Sequence, residues 1–250
     1  QAIHLVDDAL ANQASVKIEI LDSGISYTDD IDVVERVNLI PGDDEVPVLY
    51  DDANGHGTAL GGIIAAKDNG EGITGINPNA EIYSVKVLDQ NLETPLSRVI
   101  EGIYWGIEND VDIINMSFGT PVESEILRKA VQDAADAGIL LVAAAGNTPE
   151  GGVQYPAAFP EVIAVGSVEA SGQIAEHTPL GEELELLAPG KQVLSTGLFY
   201  GVLETEGTSI AAAQVTGVAS LLMGRDGEKS PEVIRQLLKE SAKPILINEE

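Results

Sequence analysis

Short, nearly continuous apolar runs alternate along this chain with stretches of helical period, and that alternation confines it to few architectures. Residues 16–21, 82–88, 111–116, 139–145 and 162–166 are dense in Val, Ile, Leu and Ala and read as strands, whereas residues 60–67, 97–109 and 124–137 read as helices. The middle strands are apolar at almost every position, as strands buried on both faces must be. Strand after helix predicts an α/β fold of three layers, a mostly parallel sheet flanked by helices, with functional groups at the strands' C-terminal ends. The first run differs: Lys17 and Glu19 alternate with Val16, Ile18 and Ile20, which predicts an edge or half-covered position. Ser97 and Glu101 stand near the start of the second helix, where a cap and an acidic charge belong. Residues 209–223 read as a buried helix, and residues 231–241 as an amphipathic one with Ser230 as cap and Pro231 in its first turn. There is no internal repeat, low-complexity tract or convincing linker, so one domain spanning residues 1–250 is the economical reading.

Charge narrows the partners. Thirteen Lys and Arg face forty-one Asp and Glu, a formal charge of −28 that repels phosphate backbones and anionic lipid. Neither nucleic acid nor membrane is expected, and no apolar run reaches the roughly 18 residues of a membrane helix. Such a surface favours cationic peptides or simply keeps the chain dissolved in salt. The chain has no cysteine, which excludes disulfides, thiolate metal sites and a cysteine nucleophile. That suits an extracellular enzyme, with a cytoplasmic chain as the alternative. No signal peptide is visible at Gln1, which fits a processed, excised or cytosolic chain.

Candidate chemistry begins at Glu206-Gly207-Thr208-Ser209-Ile210-Ala211-Ala212-Ala213, a serine on a glycine turn opening an alanine-rich helix. A sharp turn into a helix holds a hydroxyl exposed and fixed, and helix N-terminal amides can serve a developing oxyanion. The competing reading is a plain cap by Thr208 or Ser209. Histidine is the usual base for such a serine, and the chain has three: His4, His56 and His177. Only His56, in Asn54-Gly55-His56-Gly57-Thr58, has glycines on both sides that leave an imidazole uncrowded; a surface loop is its alternative. Asp22 ends the first strand ahead of Ser23-Gly24 and could orient such a base or merely start an Asx turn. Asn147 follows Ala143-Ala144-Ala145-Gly146 at a strand's end, where a bare backbone leaves room for substrate.

These frames, in this order, resemble the subtilisin-like serine proteases. Ile20-Leu21-Asp22-Ser23-Gly24-Ile25, Gly55-His56-Gly57-Thr58 and Gly207-Thr208-Ser209-Ile210-Ala211-Ala212 match that family's catalytic signatures. Gly75-Ile76-Asn77-Pro78, Val85-Lys86-Val87-Leu88, Ile114-Asn115-Met116-Ser117-Phe118-Gly119, Ala144-Ala145-Gly146-Asn147, Tyr155-Pro156-Ala157 and Ala188-Pro189-Gly190 have counterparts between them. The resemblance implies a serine endopeptidase in which Ser209 attacks, His56 moves the proton, Asp22 holds the imidazole, and the Asn147 side chain with the Ser209 amide receives the oxyanion. It implies an extended peptide or protein substrate pairing with Leu92-Glu93-Thr94 and Ser117-Phe118-Gly119, and Leu96 lining a more distant apolar pocket. The primary pocket would lie between Ser117-Phe118-Gly119 and Ala144-Ala145-Gly146, with Gln154 near its floor. No cofactor is implied for the chemistry. A structural calcium is, on the Asn69 side chain, the backbone oxygens of Lys67, Glu71 and Ile73, and Gln1 and Asp30. An inhibitory pro-segment is a further expected partner. A narrow-specificity precursor-processing protease and a non-catalytic peptide-binding pseudoprotease are the rival readings.

Several positions depart from the family pattern. Ala59, Ala213 and Gln214 stand where His, Pro and His are usual, away from the chemistry. Gln154 stands where the family often has glycine and predicts a shallower or more polar pocket, while Thr120 replaces a frequent glycine and narrows the cleft. The absence of a pro-segment ahead of Gln1, and the stop at Glu250, suggest a catalytic domain from a longer polypeptide.

Overall fold

The computed structural model describes residues 14–40, 51–198, 201–227 and 230–245. Its centre is a sheet of β1 (Lys17–Asp22), β2 (Val33–Asn38), β3 (Glu81–Lys86), β4 (Ile113–Met116), β5 (Leu140–Ala144), β6 (Val162–Val168) and β7 (Leu184–Pro189). These seven strands run parallel in the order β2-β3-β1-β4-β5-β6-β7. Helices α1 (His56–Ala65), α2 (Leu96–Glu108), α3 (Glu125–Asp136), α4 (Thr208–Asp226) and α5 (Pro231–Ser241) cover its faces. A separate antiparallel pair, β8 (Val193–Thr196) and β9 (Val202–Thr205), leads into α4.

Successive strand residues point to opposite faces, so the sheet divides the apolar interior in two. Ile18 and Ile20, Val142 and Ile163 pack with Leu60 and Ile64 of α1 and with Ile210, Ala213 and Met223 of α4. Leu21, Ile114, Leu141 and Ala164 face Val99 and Ile103 of α2 and Leu127 and Val131 of α3. This is the three-layer α/β fold expected. The alanines at 211–213 are fully buried and let α4 lie close beneath the sheet, with Ser209 in its first turn. Strand order reverses between β3-β1 and β4, and such a switch point opens a crevice at the strands' C-terminal ends. Asp22 ends β1 and Ser117 follows β4 at that crevice.

Two local expectations are corrected. The first strand is central, not at an edge or half covered, because β1 pairs with both β3 and β4. Its alternation misleads for two separate reasons. Lys17 sits at the strand's start, where its Nζ donates to the carbonyl of Asn109 at 3.2 Å. Glu19 is fully buried, both carboxyl oxygens are without a hydrogen-bond partner, and burial pushes its pKa well above the usual carboxylate range. It fits because Gly106 of α2 lies over it; a Cβ there would strike Glu19 Oε2. The cap expected from Ser97 and Glu101 is also absent: α2 starts at Leu96 behind Pro95, with no side-chain cap, and Glu101 pairs with Arg98 at 2.6 Å. Elsewhere Ser230 caps α5 through the Val233 amide, as its position suggests. Gln1 and His4 lie outside the described residues.

Candidate active site

An acid–base pair is the centre of the crevice. The carboxylate of Asp22 is wholly buried, and its Oδ1 stands 2.7 Å from His56 Nδ1 while accepting from the Ser23 amide at 2.8 Å. His56 is the first residue of α1, with about a fifth of its side chain exposed (20%). Gly57 makes this approach feasible, since a Cβ there would collide with the Gly24 carbonyl. A carboxylate against Nδ1 keeps the ring proton on that nitrogen and leaves Nε2 as the basic atom. Burial lowers the proton affinity of His56, but the charge of Asp22, its hydrogen bond and the charge of Asp52 outweigh that, so the imidazole titrates above its ordinary range.

Ser209 comes from the opposite end of the chain. It follows Gly207, whose φ of 131° turns the backbone into α4, and it is 8% exposed. Its hydroxyl donates to the Ser117 carbonyl at 3.1 Å. Its amide stands in the first turn of the helix, where backbone donors have no intrahelical acceptor. Asn147 is locked beside it: the Asn147 Oδ1 accepts from the Thr208 amide (2.9 Å) and hydroxyl (3.1 Å). With its oxygen so held, the carboxamide nitrogen lies beside Gly207, 3.4 Å from where a Cβ on that glycine would stand. The structure thus holds an imidazole oriented by a buried carboxylate, and a serine hydroxyl at a helix start with Asn147 fixed next to it.

A cleft of about 520 Å³ starts at Phe118, the residue after the Ser117 that accepts from Ser209. It brings Leu92, Glu93, Thr94 and Leu96 opposite Phe118, Gly119 and Thr120, with Val99, Leu127 and Tyr155 lining its apolar part. Thr120 and Tyr155 exchange backbone hydrogen bonds at 2.9 Å, which fixes that wall. Ala144, Ala145 and Gly146 form a second wall that does not line this cleft, with Ala145 O accepting from Gln154 N at 2.9 Å. The Gln154 side chain lies between the walls, against Gly119 and Gly146; its Cδ is 2.9 Å from where a Gly146 Cβ would stand. The Gln154 side chain thus fills the gap between two bare backbones.

The loop from Lys67 to Ile73 meets Asp30. The Lys67 amide donates to the Asp30 carbonyl at 2.8 Å, and Gly72 lies against the Asp30 carboxylate. Asp30 Oδ2 accepts from Thr196 Oγ1 at 2.7 Å, whereas Oδ1 is buried without a partner. Asn69 Oδ1 accepts from the Glu71 amide at 2.9 Å. An orphaned buried carboxylate oxygen beside a turn rich in carbonyls fits an oxygen-loving cation. Among the described residues no group of three or more His, Cys, Asp or Glu is gathered for a metal.

Comparison with known proteins decides the family. The profile of the subtilase family matches residues 13–249. The chain belongs to the subtilase family. This subtilase is 41% identical over 228 residues to the minor extracellular protease Epr of Bacillus subtilis (strain 168), covering 91% of the chain and 35% of Epr. It is 41% identical over 226 residues to the thermostable alkaline protease of Halalkalibacterium halodurans, covering 90% and 62% of the two chains. With subtilisin DY of Bacillus licheniformis it shares 39% over 235 residues, 92% and 84% of the respective lengths. The subtilase thus spans about a third of Epr and about three fifths of the alkaline protease. Its fold superposes on the crystal structure of a cold adapted subtilisin-like serine proteinase with a TM-score of 0.81 at 29% identity, covering 91% of this chain and 82% of that one.

Sequence reasoning missed the residues that hold the site rather than perform its chemistry. Thr208, Ser23 and Asp52 anchor Asn147, the Asp22 strand end and α1 respectively. The one available signal was an acid, Asp52, just ahead of the glycine-flanked histidine.

Proposed function

We propose that this subtilase is a serine endopeptidase working through Asp22, His56 and Ser209, with Asn147 as oxyanion donor. The observation that carries the reading is the 2.7 Å contact between a wholly buried Asp22 and His56 Nδ1, which makes Nε2 a base at the crevice where α4 presents Ser209. For attack, the Ser209 hydroxyl turns from the Ser117 carbonyl to His56 Nε2 and gives up its proton as Oγ bonds to the scissile carbonyl carbon. The oxyanion so formed accepts from Asn147 Nδ2 and the Ser209 amide. His56 then protonates the leaving amine as the C–N bond breaks, and water repeats the sequence on the acyl-enzyme to restore the serine. Asp22 keeps the imidazole in its tautomer and stabilises the cation.

The substrate is a peptide in extended conformation laid between Leu92-Glu93-Thr94 and Ser117-Phe118-Gly119, with a side chain toward Leu96 and another toward the slot that Gln154 fills. Gln154 and Thr120 favour a narrow substrate range over a broad one. A pro-segment of the same extended shape would inhibit by occupying this cleft. The charge of −28 argues against nucleic acid and anionic membrane as partners, and no described helix is long and apolar enough to cross a membrane. An extracellular location agrees with the absence of cysteine and with the name of the Epr relative. Calcium would be held by Asn69, Asp30, the backbone oxygens of Lys67, Glu71 and Ile73, and Gln1, pinning that loop without entering the chemistry.

Labelling with a fluorophosphonate probe tests the reading. The intact subtilase should be labelled and Ser209→Ala should not. Equal labelling of the two, or none of the folded intact chain, refutes the nucleophile.

A further inference from the structure

Outside the residues given a chemical role, the buried carboxylate of Asp52 is the group with the most connections to the site. It is 1% exposed. Its Oδ1 accepts from Ser23 Oγ (2.9 Å), the Gly55 amide (2.8 Å) and the Asn54 amide (3.2 Å). Its Oδ2 accepts from the Thr58 amide (2.8 Å) and hydroxyl (2.7 Å). Both hydroxyls are already acceptors, Ser23 Oγ from the Gly57 amide (3.0 Å) and Thr58 Oγ1 from the Ser26 amide (3.1 Å), so their protons are directed at Asp52. Five donors and no acceptor make the pattern of an ionised carboxylate. Burial raises its pKa above the ordinary carboxylate value, and the bonds from Thr58, Gly55 and Ser23 offset only part of that.

The partners matter as much as their number. Ser23 directly follows Asp22, Gly55 directly precedes His56, and Gly57 after it is held through Ser23 Oγ. Asp52 therefore ties together both carriers of the acid–base pair while touching neither side chain. Its own backbone is clamped through Ser26 Oγ, which contacts the Asp52 amide and carbonyl at 3.1 and 3.0 Å.

We propose that Asp52 is a positioning residue that fixes the spacing of Asp22 and His56 and, as a second buried negative charge, sets the pH at which His56 becomes a base. The inference rests on the proposed role of His56. Asp22 on β1 and Asp52 ahead of α1 are the charges bearing on that imidazole, and Ser209 faces the site from α4. Asp51 stands behind them, offset by Lys86 of β3 and Arg36 of β2. Lys86 Nζ donates to the Asp51 carbonyl at 2.7 Å. Removing the Asp52 charge takes away one of the attractions that hold the proton on His56, so His56 must release it at lower pH.

Asp52→Asn is the test, because it keeps the volume but turns an NH₂ toward donors that already point inward. His56 is titrated by NMR in Ser209→Ala with and without Asp52→Asn, and kcat and KM are measured against pH on a peptide substrate in chains that keep Ser209. The expected result is a His56 titration and an acid limb of kcat/KM both moved to lower pH. At the plateau, kcat falls by roughly 10–100-fold while KM changes little. Should Asp52→Asn fail to fold, Ser23→Ala carries the test: it removes one strut but no charge, so kcat should fall with the His56 titration unmoved, and an unchanged kcat overturns the positioning role. A lower melting temperature in Asp52→Asn with the titration and acid limb in place would make Asp52 a cap of α1 and overturn the inference. An intact chain that the fluorophosphonate fails to label overturns the role of Ser209 instead, while the two NMR titrations still decide the case for Asp52.

Discussion

Glu19 is buried at the centre of the sheet with neither oxygen partnered, and this predicts an unusual gain from losing it. Glu19→Met in the Ser209→Ala background, which removes self-digestion as a complication, replaces the carboxyl by an apolar group of similar length that adapts to irregular space. Burying a polar group without a hydrogen bond costs about 1–3 kcal/mol by protein mutational measures. Because burial raises the folded-state pKa of Glu19, a second contribution depends on pH. Below about pH 4 both folded and unfolded chains hold the proton. As pH rises, the unfolded chain releases it first, and the parent loses about 1.4 kcal/mol of stability per unit until folded Glu19 ionises too. The variant should therefore be more stable by about 1–3 kcal/mol near pH 5 and by more at pH 8. A gain of 1 kcal/mol corresponds to roughly 2–4 °C in a chain of this size. Urea unfolding at both pH values measures the difference directly. A variant less stable than the parent at both, with no divergence toward alkaline pH, would mean that the carboxyl is satisfied in place and that the reasoning is wrong.

Other outcomes follow from the site. Asn147→Ala should cut kcat by about 10²–10³ with KM nearly unchanged, and a loss confined to KM would remove it from the oxyanion's surroundings. Gln154→Gly should raise kcat/KM for a bulky aromatic side chain relative to alanine by roughly tenfold or more, read by competing peptides; an unaltered ratio would show that the filled slot does not select. Because His56 titrates above its ordinary range of about 6.5, kcat/KM should climb with pH through a midpoint above that value, and a flat profile from pH 5 to 8 excludes this base. Chelation should lower the melting temperature of the parent and leave Asp30→Asn unaffected, whereas equal responses would dissociate the Asp30 loop from calcium.

The layers, and the approach of His56 to Asp22, were legible because each depends on local pattern. Strands such as residues 139–145 announce burial on two sides, and glycines around His56 announce a close approach. Strand β2 was not legible: its Glu35, Arg36 and Asn38 carry no continuous apolar run, since the strand lies at an edge of the sheet. The place of β1 failed for the opposite reason. Sequence alternation signals a half-wet strand only if each polar residue meets water, and Glu19 meets Gly106 instead. Asp52 escaped because its partners are amides and hydroxyls 2 to 29 residues away, and the contact with Ser23 exists only after the chain has closed. Chemistry-bearing residues leave a motif, whereas residues that hold them in place leave only a fold.

The chain order of the site has one more consequence. Asp22 and His56 belong to the first strand and helix among the described residues, but Ser209 opens a helix reached only after the seven parallel strands described have been made, and Asn147 stands between them. Parallel strands pair only across long connections, so no fragment lacking the C-terminal quarter can assemble the crevice. A chain emerging from the ribosome therefore carries a harmless half of a catalyst until its last buried helix docks. Reaction with an active-site probe would then report on completion of the whole sheet, making the proposed nucleophile a built-in gauge of folding.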